Sequence, residues 1–291
     1  MKKKLTFGRF LIVVVLVIYT IFLFFPIATI LLTSFIPSEE LATSTKFIWW
    51  SKNMNLDAYK TIFTYDTYID LTGFPGLVLG LFNTLWLTLI PLTIGLLTAG
   101  LSAYAFSKSD FPLKEKLFKI SVIIRAIPLG AFGVISFVFY SAIGWVGENG
   151  YLPLLIPGMF GGIGTMFFLR LYFDGISNSL IEAAMLDGAG FFRCFKDVML
   201  PLAKPAFIAQ FIFGFVGGYN SYLGPVLYLR NQPQFVTLQL YLSEIRSLFT
   251  TAGSENIYCA AAILGMLPLI VIYCFLQKYF IEGVATGGVK E

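Results

Sequence analysis

Six stretches of this chain run for about 20 residues or more with no charged side chain, one of them interrupted only by Arg125. They are Phe10–Ser38, Leu71–Ser107, Ile120–Val146, Asn149–Leu169, Pro205–Leu229 and Asn256–Gln277. A helix needs about 20 apolar residues to cross the hydrocarbon of a bilayer. Each run is long enough, so the sequence predicts an all-α, polytopic membrane protein with six transmembrane helices. The second run holds 37 residues, which at about 1.5 Å per residue would reach roughly 55 Å as one helix. Its early part, Thr72-Gly73-Phe74-Pro75-Gly76, carries helix breakers. The expected helix proper therefore covers about Leu77–Phe106, and the breakers form a lead-in.

Composition agrees. Hydrophobic residues make up 57% of the 291 positions, charged residues only 12%, and the mean hydropathy is +0.81. A soluble domain averages about 25% charged residues, and a globule of this length has too little interior to hide so much apolar surface. A cytosolic enzyme, a disordered chain and a disulfide scaffold are excluded. Histidine is absent, which removes imidazole metal sites and His-based triads. Cys194, Cys259 and Cys274 are too few and scattered for a disulfide framework or a thiolate metal site. The N-terminal run, preceded by Lys2-Lys3-Lys4, has a secretory signal as its alternative. It is far longer than a signal core of about 7–15 residues, so it is read as the first span.

Lysine and arginine orient the spans. With the N-terminus inside, the inner segments hold 14 of the 20 basic residues and the outer segments 5, with Arg125 inside the third span. Both termini are then cytoplasmic. The outer segments are Ile36–Asp70, Gly147–Gly150 and Arg230–Glu255; the inner links are Lys108–Lys116 and Phe173–Lys204. None has room for a catalytic domain, so residues 1–291 form one transmembrane domain. No GxxxxGK[ST] string occurs, so the chain has no phosphate-binding loop with which to hydrolyse ATP.

The inner segment 177–205 is the most informative. Ser179 and Glu182 match an S-x-x-E capping box, which predicts a helix start. Ala183 and Ala184 follow, and Gly188 and Gly190 stop the helix after about two turns. A second helix is expected over Phe191–Met199, with Phe191, Phe192, Phe195, Val198 and Met199 apolar and Arg193, Lys196 and Asp197 polar. Pro201 and Pro205 lead into the next span. On periodicity alone, an amphipathic connector resting on the bilayer is an equal reading.

Glu182-Ala183-Ala184, two residues, Asp187-Gly188-Ala189 and then Leu200-Pro201 resemble the EAA loop of binding-protein-dependent ABC importer permeases. The chain is similar in particular to the smaller permease of the maltose-type, carbohydrate-uptake branch. Asn83-Thr84, Tyr104-Ala105-Phe106-Ser107-Lys108 with Phe111-Pro112, Gln277-Lys278-Tyr279-Phe280, Gly283 and Gly287-Gly288-Val289-Lys290 carry that likeness. It departs at Tyr219-Asn220-Ser221, where the family often has Trp-Asn-Glu/Asp, and at Asn178-Ser179, where a proline is common.

The resemblance implies a type I ABC importer permease fold in the bacterial cytoplasmic membrane. It implies that Glu182, Ala183, Ala184, Asp187, Gly188, Ala189 and Pro201 dock an ATPase subunit, joined by Gly287, Gly288 and Lys290 of the C-terminus. The implied partners are a second homologous permease, two ATP-binding subunits that hold ATP and Mg, an external sugar-binding protein and a sugar, with an oligosaccharide favoured. No cofactor is expected in this chain, no enzyme activity, and no nucleic acid as partner. An importer for a non-sugar solute is the alternative. An ion-coupled carrier fits poorly, because no Asp or Glu lies deep in a span.

Within the spans, Asn83, Arg125, Tyr219 and Asn220 are candidates to line a substrate pathway. Helix–helix hydrogen bonding is the other use of the asparagines, and snorkelling to the inner interface the other use of Arg125. Gly158-x-x-x-Gly162 and Gly214-x-x-x-Gly218 predict tight helix contacts. In the last outer segment, Gln232, Gln234, Gln239, Tyr241 and Ser243 are candidates to meet a protein or a sugar.

Overall fold

The computed structural model describes residues 7–127, 133–229 and 231–288, and every regular element among them is helical. In chain order these are α1 (Phe7–Thr33), α2 (Ser38–Thr43), α3 (Asp57–Thr64), α4 (Thr67–Thr72) and α5 (Gly76–Lys108). Then come α6 (Lys114–Ala126), α7 (Gly133–Ala142), α8 (Leu152–Met159), α9 (Ile163–Asp174) and α10 (Asn178–Leu186). The series ends with α11 (Phe191–Cys194), α12 (Leu200–Leu202), α13 (Lys204–Tyr219), α14 (Leu223–Leu229), α15 (Leu238–Leu248) and α16 (Glu255–Gly288).

Four helical stretches among the described residues are long and apolar enough to cross a membrane: Gly8–Thr33, Gly76–Lys108, Leu152–Asp174 and Glu255–Lys278. A fifth arises if Phe191–Leu202 and Lys204–Tyr219, which meet at 79°, act as one span. The expected third run is divided. It forms α6, 13 residues, and α7, 10 residues, with 128–132 between them outside the described residues. The expected fifth run is also divided, because α13 ends at Tyr219. There the Asn220 side chain donates to the Val216 carbonyl at 2.9 Å, which satisfies a terminal acceptor and closes the helix. Apolar composition reports how much chain is buried in lipid; it does not register these bends.

Two compact units emerge, Met1–Val78 with Tyr241–Leu267, and Leu79–Leu240 with Pro268–Glu291. In the first, α1 exposes its apolar side chains along nearly its whole length, as a lipid-facing span should. The short helices are tied by side chains. Asp66 caps α4 through the Tyr68 amide at 3.0 Å and also accepts from the Gly76 amide at 2.7 Å. Tyr68 donates to Glu244 at 2.7 Å. Burial, and then that carboxylate, hold the Tyr68 hydroxyl above its usual range, so it remains a donor. Asn256 donates to the Ile36 carbonyl at 2.8 Å.

In the second unit Gly214 and Gly218 make the close contacts their spacing predicts, whereas of the other pair only Gly158 does, since Gly162 lies beyond the end of α8 and meets only Thr165 of its own helix. Gly158 lies against the backbone of Gly95 in α5, and Thr98 donates to the Met159 carbonyl at 2.9 Å. Gly214 and Gly218 of α13 face Leu92 and Thr88 of α5; a Cβ at Gly218 would sit 2.7 Å from the Thr88 methyl. These contacts bring α8 onto the backbone of α5 and seat the Leu92 and Thr88 side chains of α5 in the spaces left by the α13 glycines.

Candidate functional site

The segment between α9 and α13 is built as a small rigid bracket. Its first helix, α10, starts two residues earlier than the capping-box spacing predicts. Ser177, not Ser179, is the N-cap, accepting from the Ser179 amide at 3.3 Å, and the two hydroxyls are 2.8 Å apart. Three small polar residues in a row, Ser177-Asn178-Ser179, offer several caps, and the spacing to Glu182 picks the wrong one.

The other end follows from Gly188. Its φ is +83°, the left-handed region that glycine enters without steric cost. The Gly188 amide donates to Met185 O at 3.0 Å and the Ala189 amide to Ala184 O at 2.9 Å. This pair of bonds is a Schellman motif, which satisfies the last carbonyls and turns the chain sharply. The expected second helix exists as α11, a π-helical turn over Phe195–Met199, and α12.

What the bracket stands on is not evident from its own sequence. Ile181, Cys194, Phe195 and Met199 are buried with Tyr104 of α5, Leu169 and Phe173 of α9, and Phe207 of α13 in one apolar cluster. Tyr104, 1% exposed, has the rings of Phe191, Phe195 and Phe173 at 4.7, 5.6 and 6.4 Å. Lys108 donates to the Ile176 carbonyl at 2.6 Å and to the Asn178 side chain at 2.8 Å. Ser107 donates to Asp174 at 2.6 Å. Thus the end of α5 clamps the start of α10. Tyr104 and Lys108 are positioning residues of this site; their only sequence signal is the run Tyr104–Lys108, which by itself assigns them no role.

The expected docking residues then separate. Glu182, Ala183, Asp187, Gly188 and Pro201 are exposed. Ala184 and Ala189 are half-buried and packed on the cluster. The outward surface also includes Met185, Leu186 at 89% exposure and Phe192 at 71%, large apolar side chains that the motif does not name. Gly287 and Gly288 end α16, and Lys290 lies outside the described residues. Cys194 is fully buried, with its thiol 3.7 Å from Ala189 O.

The pathway candidates also separate. Asn83 is 3% exposed; it donates to Gln234 O at 3.0 Å and Val236 O at 2.8 Å and accepts from the Trp86 indole at 2.9 Å. Thr84 accepts from the Leu238 amide at 2.8 Å. Together they fix the connection before α15 onto α5. Tyr219 is buried beside Phe215, with ring centroids 5.5 Å apart. Asn220 is exposed and accepts from Gln239 at 3.2 Å. Arg125, in the last turn of α6, lays its guanidinium in the space beside Gly164 of α9. Tyr241, expected at a contact surface, is fully buried against Tyr68.

Comparison with known proteins matches this arrangement. Residues 92–286 match the family described as the inner membrane component of binding-protein-dependent transport systems. The chain is 30% identical over 275 residues to an arabinooligosaccharides transport system permease protein of Bacillus subtilis, covering 91% of this chain and 90% of that one. It is 31% identical over 242 residues to a maltodextrin transport system permease protein of Streptococcus pneumoniae, covering 82% and 81%. Its fold superposes with a TM-score of 0.80, at 22% identity, on a chain of a bacterial ABC transporter involved in import of the acidic polysaccharide alginate, over 96% of this chain and 99% of that one. Members of such a family carry solutes and are not enzymes. The matched span takes in α10, its Schellman corner and the cluster beneath them, and this multi-pass membrane protein belongs to the family of inner membrane components of binding-protein-dependent transport systems.

Proposed function

We propose that this chain is one of two homologous permease subunits of an ABC importer that moves a sugar, an oligosaccharide in the first place, across the bacterial cytoplasmic membrane by alternating access. The observation that carries the reading is α10. It is a short helix capped at both ends, seated on a buried aromatic cluster, and it presents Glu182, Ala183, Met185 and Leu186 outward. An exposed apolar patch on a rigid base marks an interaction site. Two ATP-binding subunits fill that role, binding ATP and Mg themselves, and the C-terminal Gly287, Gly288 and Lys290 join the same contact. The charge bias supports six spans with both termini in the cytoplasm. The names of the relatives support a sugar as cargo, delivered by an external binding protein.

Reconstitution tests this. Proteoliposomes holding this chain with its cognate permease and ATPases should hydrolyse ATP faster when sugar-loaded binding protein is added, and should accumulate the sugar. This chain alone should do neither. Sugar uptake by liposomes containing only this chain would replace the importer with a self-sufficient carrier.

A further inference from the structure

The helix α6 is attached to the rest of the second unit by one narrow stripe. None of its residues is buried, and Leu117, Ile120, Ile123 and Ile124 are exposed. The stripe consists of Glu115, Phe118 and Arg125, whose spacing of three and then seven residues puts them on one helical face. It lies along α9. Glu115 accepts from Arg170 at 2.8 Å, the Phe118 ring stacks on Phe167 with centroids 5.8 Å apart, and the Arg125 guanidinium lies beside Gly164. Residue numbers rise on α6 as they fall on α9, so the two helices run antiparallel along the contact. Phe118 also meets Phe106 of α5, with centroids 5.6 Å apart.

Arg170 is the centre of this attachment. Its side chain is only 12% exposed. The guanidinium carbon sits 3.8 Å from the centre of the Phe118 ring, which favours a cation over the ring face. Nη2 reaches Glu115, and Nε lies 3.7 Å from Asp174, one turn further along α9. Nη1 is buried with no hydrogen-bond partner among the described residues. A fully exposed ion pair contributes little. Here the guanidinium is taken out of water, so it depends on the few groups around it. Asp174 is in turn held by Ser107 of α5, and two residues beyond it Lys108 holds the Ile176 carbonyl. The series Glu115, Arg170, Asp174, Ser107 thus runs from α6 through α9 to the end of α5, and it stops where the bracket begins.

We propose that Arg170 is a positioning residue for coupling: it fastens α6 to α9, so that α6 travels with the bracket when the bracket is displaced. The proposal rests on the importer reading above and adds to it a further helix that follows α10, with the residue that makes it follow.

The test uses the reconstituted transporter at matched amounts of the chain. Arg170→Met keeps an apolar stem over Phe118 and removes every donor; Glu115→Ala removes the acceptor. Each should lower the sugar carried per ATP hydrolysed by roughly five- to tenfold, the order expected for losing one charge-assisted hydrogen bond. The ATPases should still copurify, since the outward face of α10 is unchanged. The double variant should be no worse than either single one, because both remove the same link. Arg170→Lys should recover only part of the loss, since an ammonium keeps the charge without the flat fork that stacks and binds at once. A covalent tie gives the second arm. In a chain whose three native cysteines are replaced by alanine, Glu115→Cys with Arg170→Cys breaks the pair, and joining the two thiols with a short bismaleimide should restore the sugar carried per ATP. If the wild-type complex imports no sugar, the importer reading itself fails. If it imports sugar, yet both single variants keep the wild-type sugar per ATP, whether or not both rates fall, Arg170 only stabilises the fold. If the joined chain hydrolyses ATP and carries no sugar, α6 has to slide along α9 during transport. Either of these two results overturns the proposal.

Discussion

Gly188 offers the cleanest perturbation of the bracket, because its strain is separable from its contacts. The residue sits at φ +83°, and a Cβ built there would meet nothing within 4 Å. Substitution therefore removes no packing and creates no clash. What remains is the backbone penalty of an L-residue in the left-handed region, about 1–2 kcal/mol, and more for a β-branched side chain. Asn tolerates this region far better. A penalty of that size shifts any equilibrium in which the corner must stay closed by roughly 5–30-fold. Gly188→Val should therefore weaken retention of the ATPase subunits and reduce uptake by about that factor, Gly188→Ala by less, and Gly188→Asn by least. The assay is copurification of the ATPases from detergent together with uptake in proteoliposomes, at matched amounts of the chain. The order Val, Ala, Asn is the signature of backbone strain. Equal loss in all three variants would mean that the missing side chain, not φ, matters at this position. Wild-type behaviour of Gly188→Val would mean that the corner has no part in coupling.

Three further outcomes are expected. Ala183→Trp, on the exposed face, should abolish ATPase copurification and leave the melting temperature of the chain unchanged, whereas Ala184→Trp, packed on the cluster, should lower the melting temperature by overpacking worth about 1–3 kcal/mol. Lys108→Met should cost about 1–3 kcal/mol of stability in thermal unfolding by stranding the part-buried Ile176 carbonyl, and should increase ATP hydrolysis without transport. For orientation, the buried Cys194 should resist a thiol reagent even in opened cells, so the test position is the exposed Lys196; Lys196→Cys should react with an impermeant reagent only after the cells are opened, and reaction in intact cells would reverse the topology.

How much of this was legible depended on the kind of signal. α5 was, to within two residues at each end, because breakers preceded it and Lys108 followed it. The corner at Gly188 was, because few residues other than glycine turn a helix that way. The ends of α6 at Ala126 and of α13 at Tyr219 were not. An apolar run reports burial in lipid, and burial is the same for a straight helix and a bent pair. The surroundings of Asn83 and Tyr219 were not legible for a related reason. A polar or aromatic residue inside a span has either a passage or a partner, and the partners of Asn83 are backbone carbonyls about 150 residues away in sequence, which leave no trace in composition. Lys108 was read as a basic residue and as the end of a family-like run, while its use is geometric.

The construction of the bracket also limits how it can pass on a displacement. A short helix on a flexible tether would move by itself when pushed. α10 has no such freedom: Lys108 holds its start, the Schellman bonds fix its end, and Ile181, Ala184 and Ala189 lie in or on the cluster between α5, α9 and α13. Interiors at this packing density deform little and transmit strain. A push on the outward face of α10 must therefore shift α5, α9 and α13 together, or else open at a bend such as the 79° junction between α12 and α13. At Gly95, Gly158, Gly214 and Gly218 the neighbouring helices meet closely, with Leu92 and Thr88 seated in the spaces left by Gly214 and Gly218. Under the proposed function, an ATP-driven push on α10 is therefore carried as a joint movement of α5, α9 and α13.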